Sequence, residues 1–172
     1  MRVKIIKNYV DVTDSFRKAV IERNSKIEER DWIKHNGKVY RIGEQNPDNV
    51  RLRANSDENV KPMADWLQKE LGGKAFINPE PERAKFRTAD FMYRNQKWEL
   101  KTPTSKNKNT IYYQIDSGKG QANNFIIDMS NTEFSYEEIL EQVDFAFNAR
   151  NIKWFNKLIV KHDKKYGIFI RY

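Results

Sequence analysis

Apolar residues recur along this chain with two periods, and the switch between them outlines its elements. The clearest helical period lies at Val60 to Leu71, where Val60, Met63, Ala64, Leu67 and Leu71 share one face. Asn59 precedes it as a capping residue, Pro62 falls in the tolerant first turn, and Gly72-Gly73 ends it. Lys74 to Asn78 then reads as a strand, and Thr88 to Thr104 as two strands joined by a polar break. Asn109 to about Lys119 carries Ile111 and Ile115 one turn apart, as in a helix, and Asn124 to Met129 is a buried type of strand. Ser135-Tyr136-Glu137-Glu138 is a capping box opening a helix with Ile139, Leu140, Val143, Ala146 and Phe147 inward. Lys157 to Lys161 is a strand, His162 to Gly167 a turn, and Ile168 to Arg171 a last strand.

Upstream of Val60 the pattern is weaker. Arg2 to Tyr9 suits a short strand. Asp11 to Asp14 offers caps for a helix with a stripe at Phe16, Ala19, Val20 and Ile27. Trp32 to Ile42 predicts a hairpin turning at Asn36-Gly37, Glu44 to Asn49 a loop, and Val50 to Ala54 another short strand. The division this suggests is an extension over residues 1–55 and an α/β domain over 56–172. From Val60 the order is helix, three strands, helix, strand, helix and two strands. A central mixed β-sheet flanked by helices, of α/β (α+β) class, satisfies that order.

Between Thr88 and Thr104 the pattern acquires chemistry. A two-residue turn at Asn95-Gln96 sets Tyr93 against Trp98, Phe91 against Leu100 and Asp90 against Lys101. Phe91, Tyr93, Trp98 and Leu100 then share the core side, and Asp90, Glu99 and Lys101 share the other. Asp90 and Glu99 become diagonal neighbours, roughly 7–8 Å apart at the backbone; an odd loop would undo this. Two carboxylates meeting at one spot need a proton or a cation between them. Oxygen ligands favour hard ions, Mg²⁺ first, with Mn²⁺, Ca²⁺ or Zn²⁺ as alternatives. A lysine beside them is suited to holding a water or a phosphate, which is the equipment for hydrolysing a phosphodiester. The same spacing equally describes a solvated hairpin face with an ordinary ion pair. On either reading this side of the ribbon is polar, so substitutions there are expected to leave stability nearly unchanged.

Bulk properties narrow the partner. The 172 residues are 38% hydrophobic and 13% aromatic, enough for a real core. A net charge of +8 fits a polyanion such as nucleic acid, although a lysine-rich soluble surface gives the same balance. There is no cysteine, which excludes disulfides and thiolate zinc sites. Met1 to Val10 lacks the apolar run of a signal peptide and no segment is long enough to span a membrane, so no membrane partner is expected; the chain is also readable as a piece of something larger. Lys106 and Lys108, with Arg83, Lys85, Arg87, Arg94 and Lys97, suit a phosphate-tracking rim, and Tyr112 and Tyr113 suit stacking on unpaired bases. His35 and His162 read as turn residues. No nucleophile elbow and no glycine-rich phosphate loop is present.

These residues resemble a known superfamily. Asp90 on the second strand and Glu99-x-Lys101 on the third, within helix–three strands–helix–strand, resemble the PD-(D/E)XK nucleases and their restriction-endonuclease-like core (αβββαβ). The fuller segments ENVKPMADWLQKELGG, TADFMYRNQKWELKTP and NTIYYQIDSGKGQANNFIIDM resemble the C-terminal toxin nucleases of bacterial contact-dependent inhibition systems, and related phage and mobile-element domains. Ala89 stands where that family usually has proline, at a position that supplies no ligand. The resemblance implies Asp90, Glu99 and Glu58 as metal ligands and Lys101 as the residue orienting water or phosphate. It implies Gln114 and Lys119, with Gln121 beside them, as substrate-facing. It further implies RNA, tRNA foremost, as substrate, a cognate immunity protein as partner, and action in the bacterial cytoplasm after delivery within a larger protein. Two other functions fit the same residues: a metal-independent ribonuclease of the barnase/EndoU kind, and a non-catalytic domain binding nucleic acid or protein.

Overall fold

Strands rich in Ile, Val, Phe and Tyr assemble one eight-stranded mixed sheet, with helices on both of its faces. The computed structural model describes residues 4–14, 32–35, 38–41, 52–53, 58–72, 75–78, 80–81, 89–94 and 96–171. In chain order the first strands are β1 (Lys4–Ile6), β2 (Tyr9–Asp11), β3 (Trp32–His35), β4 (Lys38–Arg41) and β5 (Leu52–Arg53). Then come α1 (Val60–Leu71), β6 (Ala75–Ile77), β7 (Glu80–Pro81), β8 (Phe91–Tyr93), β9 (Gln96–Lys101), α2 (Thr110–Ser117) and β10 (Asn124–Asp128). The chain finishes with α3 (Tyr136–Asn148), a 3₁₀ turn at Arg150–Ile152, β11 (Lys157–His162) and β12 (Lys165–Arg171). Across the sheet the order is β1-β2-β12-β11-β10-β9-β8-β6. The pairs β9–β10 and β10–β11 are parallel, and the others are antiparallel. The α/β expectation holds, and the order from Val60 onward holds except for β7, an added two-residue strand that pairs with β5 outside the eight-stranded sheet.

Alternation along the strands divides the core into two layers. Trp98, Leu100, Ile126, Ile159 and Ile168 pack against Val60, Met63, Leu67 and Leu71 of α1. On the other face, Phe125, Ile127, Leu158, Val160 and Phe169 pack under Ile111 and Ile115 of α2 and Ile139, Val143 and Phe147 of α3. Each such side chain, fully buried, contributes roughly 1.5–3 kcal/mol. Because both faces are covered, no side of β9 or β10 is a plain solvent side.

Several expectations need correction. The extension over residues 1–55 is not set apart where it begins, because β1 and β2 extend the sheet beyond β12. Tyr9 stacks on Phe147 at 4.3 Å and donates from its hydroxyl to Asp144 at 3.3 Å, so the N-terminal strand shares the C-terminal core. The helix expected around Phe16, Ala19, Val20 and Ile27 and the loop at 44–49 lie outside the described residues. Strands β3 and β4 pair antiparallel from Trp32↔Arg41 to His35↔Lys38, as the expected hairpin requires. His35 and His162 are not turn residues but the last positions of strands, paired with Lys38 and Lys165. Leu140 faces outward, and Gln142 takes the buried place, its Oε1 accepting the Ile111 N–H at 3.1 Å. Asn59 precedes α1 without a side-chain cap, and its Nδ2 instead reaches Thr102 Oγ1 at 3.5 Å. The Ser135–Glu138 capping box is present in both directions.

Candidate active site

The hairpin that carries the acidic residues turns one residue earlier than expected. Tyr93 pairs with Gln96, Met92 with Lys97 and Phe91 with Trp98, so residues 94 and 95 connect the strands. Arg94 explains the placement. Its φ of 51° lies in the left-handed region that tight hairpin turns require. Its guanidinium donates to Tyr93 Oη at 3.1 Å and to the Leu71 carbonyl at 2.7 Å, satisfying an orphan acceptor in the last turn of α1. Arg94 is therefore a structural clamp rather than part of a phosphate rim. The register moves by two, and a move of two keeps every side chain on its side. Phe91, Tyr93, Trp98 and Leu100 are all in the α1 layer, as expected. One step beyond the last ladder pair, Asp90 stands directly across from Glu99 instead of diagonally.

Glu99 is 4% exposed. Its partner in β10 is Phe125, which places its side chain on the α2 face. Burial, reinforced by the charge of Asp90, pushes its carboxyl from 4.5 up to about 7. Lys101 opposes that rise, donating from Nζ to Glu99 Oε1 at 3.0 Å. Glu99 Oε2 is buried with no donor reaching it, while the Glu99 and Asp90 carboxyls lie within hydrogen-bonding reach of each other, which itself helps raise the Glu99 pKa. Asp90 turns one oxygen to the backbone, Oδ2 accepting the Leu100 N–H at 2.8 Å. Two carboxylates are both acceptors, so their approach is satisfied only by a shared proton or a shared cation. The orphaned oxygen of Glu99 beside Asp90 therefore fits a hard divalent ion. Lys101, with 19% of its side chain exposed, is the more solvent-accessible member of the Lys101–Glu99 pair.

The remaining candidates distribute themselves less tightly. Among the described residues no three acidic or histidine side chains form a metal-binding group, so Glu58 does not complete a carboxylate triad with Asp90 and Glu99. Glu58 is exposed in the turn before α1, where the Asn59–Thr102 contact sets that turn near the C-terminal end of β9. Tyr112 leans on Phe145 of α3, with rings 5.7 Å apart. Gln114 lies about 200° further round α2 and is half-buried. Lys119 is exposed past the end of α2. Gln121 lines a cleft of about 410 Å³ at the opposite, N-terminal ends of the parallel strands, together with Lys97, Lys157, Asn123 and Asn156. Lys106 and Lys108 are exposed, and Lys106 lies 3.9 Å from Glu133. Arg83, Lys85 and Arg87 lie outside the described residues. Tyr113 is 51% exposed, while Tyr112 packs partly inward and its hydroxyl accepts from Asn151 Nδ2 at 2.7 Å. Lys157 was not singled out in the sequence because KLIVK reads only as a strand. Its Nζ donates to Gln96 Oε1 at 2.8 Å in the floor of the cleft.

Residues 87–166 match the family model of the contact-dependent growth inhibition CdiA C-terminal domain. That span is just under half of the chain; it contains Asp90, Glu99, Lys101 and Gln114, and excludes Glu58. Among solved structures, the CdiA-CT/CdiI toxin and immunity complex from Burkholderia pseudomallei contains a similar chain. It is 20% identical, the match covering 75% of this chain and 98% of that one with a TM-score of 0.46. No curated protein matches the chain. Among the described residues no helix is long and apolar enough to cross a membrane.

Proposed function

We propose that this chain is a toxin domain that cuts RNA, tRNA foremost, as a metal-dependent endonuclease of PD-(D/E)XK type. The observation that carries the reading is the buried Glu99, its Oε2 without a donor beside Asp90 and its Oε1 held by Lys101. The match of residues 87–166 to the CdiA C-terminal domain model supports a toxin of contact-dependent inhibition. On that reading the chain is delivered within a larger protein, acts in the target cytoplasm, and is neutralised by a cognate immunity protein.

Asp90 and Glu99 would hold a divalent ion, Mg²⁺ first, which supplies a more acidic water and a polarised phosphate when bound. Lys101 is held 3.0 Å from Glu99, so its ammonium is pre-positioned rather than recruited from solvent. It offsets charge developing on the phosphoryl oxygens and orients the attacking water. Gln114, half-buried on α2, contacts the substrate near the cut. Lys97, Lys157 and Gln121, which line the distal cleft, grip the RNA further along, with the exposed Lys119 one residue before the lining Gly120. Glu99 and Gln96 are three strand residues apart, roughly 10 Å, so a substrate spanning both regions extends over several nucleotides.

One observation favours a second reading. A carboxyl with a pKa of about 7 is poised for general acid–base catalysis without an ion. Glu99 would then be the base of a metal-independent ribonuclease that forms a cyclic phosphate.

Purified protein incubated with total RNA or plasmid DNA, with Mg²⁺ or with EDTA, separates these readings. Cleavage of RNA that requires Mg²⁺ and is lost in Lys101→Ala is the expected result. EDTA-insensitive cleavage gives the second reading, and binding without any cleavage overturns both.

A further inference from the structure

The row of side chains across the sheet does not stop at Asp90. Asn78 follows β6, and the β6–β8 register, Ala75↔Tyr93 to Ile77↔Phe91, runs one step further to set Asn78 against Asp90. The Asn78 N–H donates to the Asp90 carbonyl at 2.9 Å, which fixes that step. Ile77 packs toward the α1 layer, so alternation turns Asn78 to the face that holds Glu99. Asn78, Asp90 and Glu99 thus stand in line on three adjacent strands.

Asn78 is 6% exposed. Its Nδ2 donates to the Ala89 carbonyl at 2.9 Å, which settles the orientation of the amide, since the reverse would set two acceptors against each other. The other atom, Oδ1, is buried with no partner. A buried amide oxygen left unpaired is destabilising unless a cation or donor meets it. The structure therefore carries two buried side-chain oxygens without a donor on one row, Asn78 Oδ1 and Glu99 Oε2, on either side of Asp90. One cation would relieve both.

We infer that Asn78 Oδ1 is a neutral oxygen ligand in the same divalent-ion site as Asp90 and Glu99. The inference rests on the metal-dependent reading and adds a residue to it. An uncharged third donor leaves the site with less negative charge than a carboxylate triad, which suits an ion that must also attract phosphate.

Mn²⁺ binding to the full chain without nucleic acid, followed by calorimetry, tests this apart from activity. Asn78→Ala should weaken Mn²⁺ binding by about ten- to a hundredfold. Asn78→Asp keeps an oxygen there and adds a negative charge that favours a cation, while setting an acceptor against the Ala89 carbonyl, so it should be less stable in EDTA yet bind Mn²⁺ at least as tightly as wild type. Circular dichroism in EDTA shows whether each variant is folded. If both variants weaken binding alike, Asn78 only braces the Asp90 turn and the inference fails. It fails equally if Asn78→Ala leaves affinity unchanged while Glu99→Gln abolishes it, and the metal site then survives without Asn78. A wild-type chain that binds no Mn²⁺ overturns the metal reading and this inference together.

Discussion

Replacing Glu99 with glutamine should stabilise the metal-free protein at alkaline pH, contrary to the usual effect of removing a buried ion pair. Folding raises this carboxyl from 4.5 to about 7, with burial the main cause and Asp90 the second. The native state therefore binds the proton more tightly than the unfolded chain does. Stability from this group is fully present below about pH 4.5 and is lost as the pH rises through about 7. At about 1.4 kcal/mol for each tenfold in proton affinity, the loss across that window is about 3 kcal/mol. Glutamine keeps the shape, can still accept from Lys101, and has no proton to lose. Urea denaturation in EDTA at pH 4.5 and pH 8 measures this directly. The stability difference between Glu99→Gln and wild type should move by about 3 kcal/mol in the variant's favour, or roughly 6–12 °C in melting temperature for a chain of this size. Excess Mn²⁺ at pH 8 should reverse the order by stabilising wild type alone, by about 2.7 kcal/mol at a hundred times its dissociation constant. Parallel pH profiles for the two proteins would refute the buried-carboxylate argument. Equal stabilisation of both by Mn²⁺ would separately refute the ion's place on Glu99.

Other substitutions probe the supports of the site. Asp90→Ala should abolish cleavage and also cost about 1–3 kcal/mol, because the Leu100 N–H loses its acceptor; denaturant midpoints and an RNA cleavage assay check both halves. Ser135→Ala removes the capping box of α3 and should cost about 1 kcal/mol, with cleavage unchanged once the protein is folded. Lys157→Ala should raise KM for a long RNA while leaving the rate on a short oligonucleotide unchanged, since Lys157 lies in the distal cleft.

Most of the element order was legible because it depends on local periodicity. The α1 stripe from Val60 to Leu71 is buried as the spacing requires, and Gly72, at φ 68°, ends the helix as a glycine should. What failed had causes outside the local window. The N-terminal strand looked separable because its partner, β12, lies some 160 residues further along. Leu140 looked inward because a leucine beside Ile139 suggests a wide apolar face, whereas α3 needs Gln142 inside to accept the Ile111 N–H. The turn at residues 94–95 was missed because its determinant is a bond from Arg94 to the end of α1, which no hairpin propensity encodes.

The site shows why a wrong register still gave the right face. Side chains alternate every residue, so an error of two leaves Asp90, Glu99 and Lys101 together, and only an odd error would have scattered them. Parity, however, says nothing about depth. Reading the ribbon alone made this a polar, solvated face, on which an acid and a lysine would be an ordinary ion pair. In the sheet, β9 lies beside β10, and Glu99 sits against Phe125 in the layer covered by α2. Burial is what separates the two readings: a surface carboxylate keeps its charge cheaply, whereas Glu99 must take a proton, a lysine or an ion. The lysine satisfies one oxygen and leaves the other without a donor. What calls for a cation is thus less the spacing of Asp90 and Glu99 than the burial of Glu99 beside Phe125, on a strand some two dozen residues further along the chain.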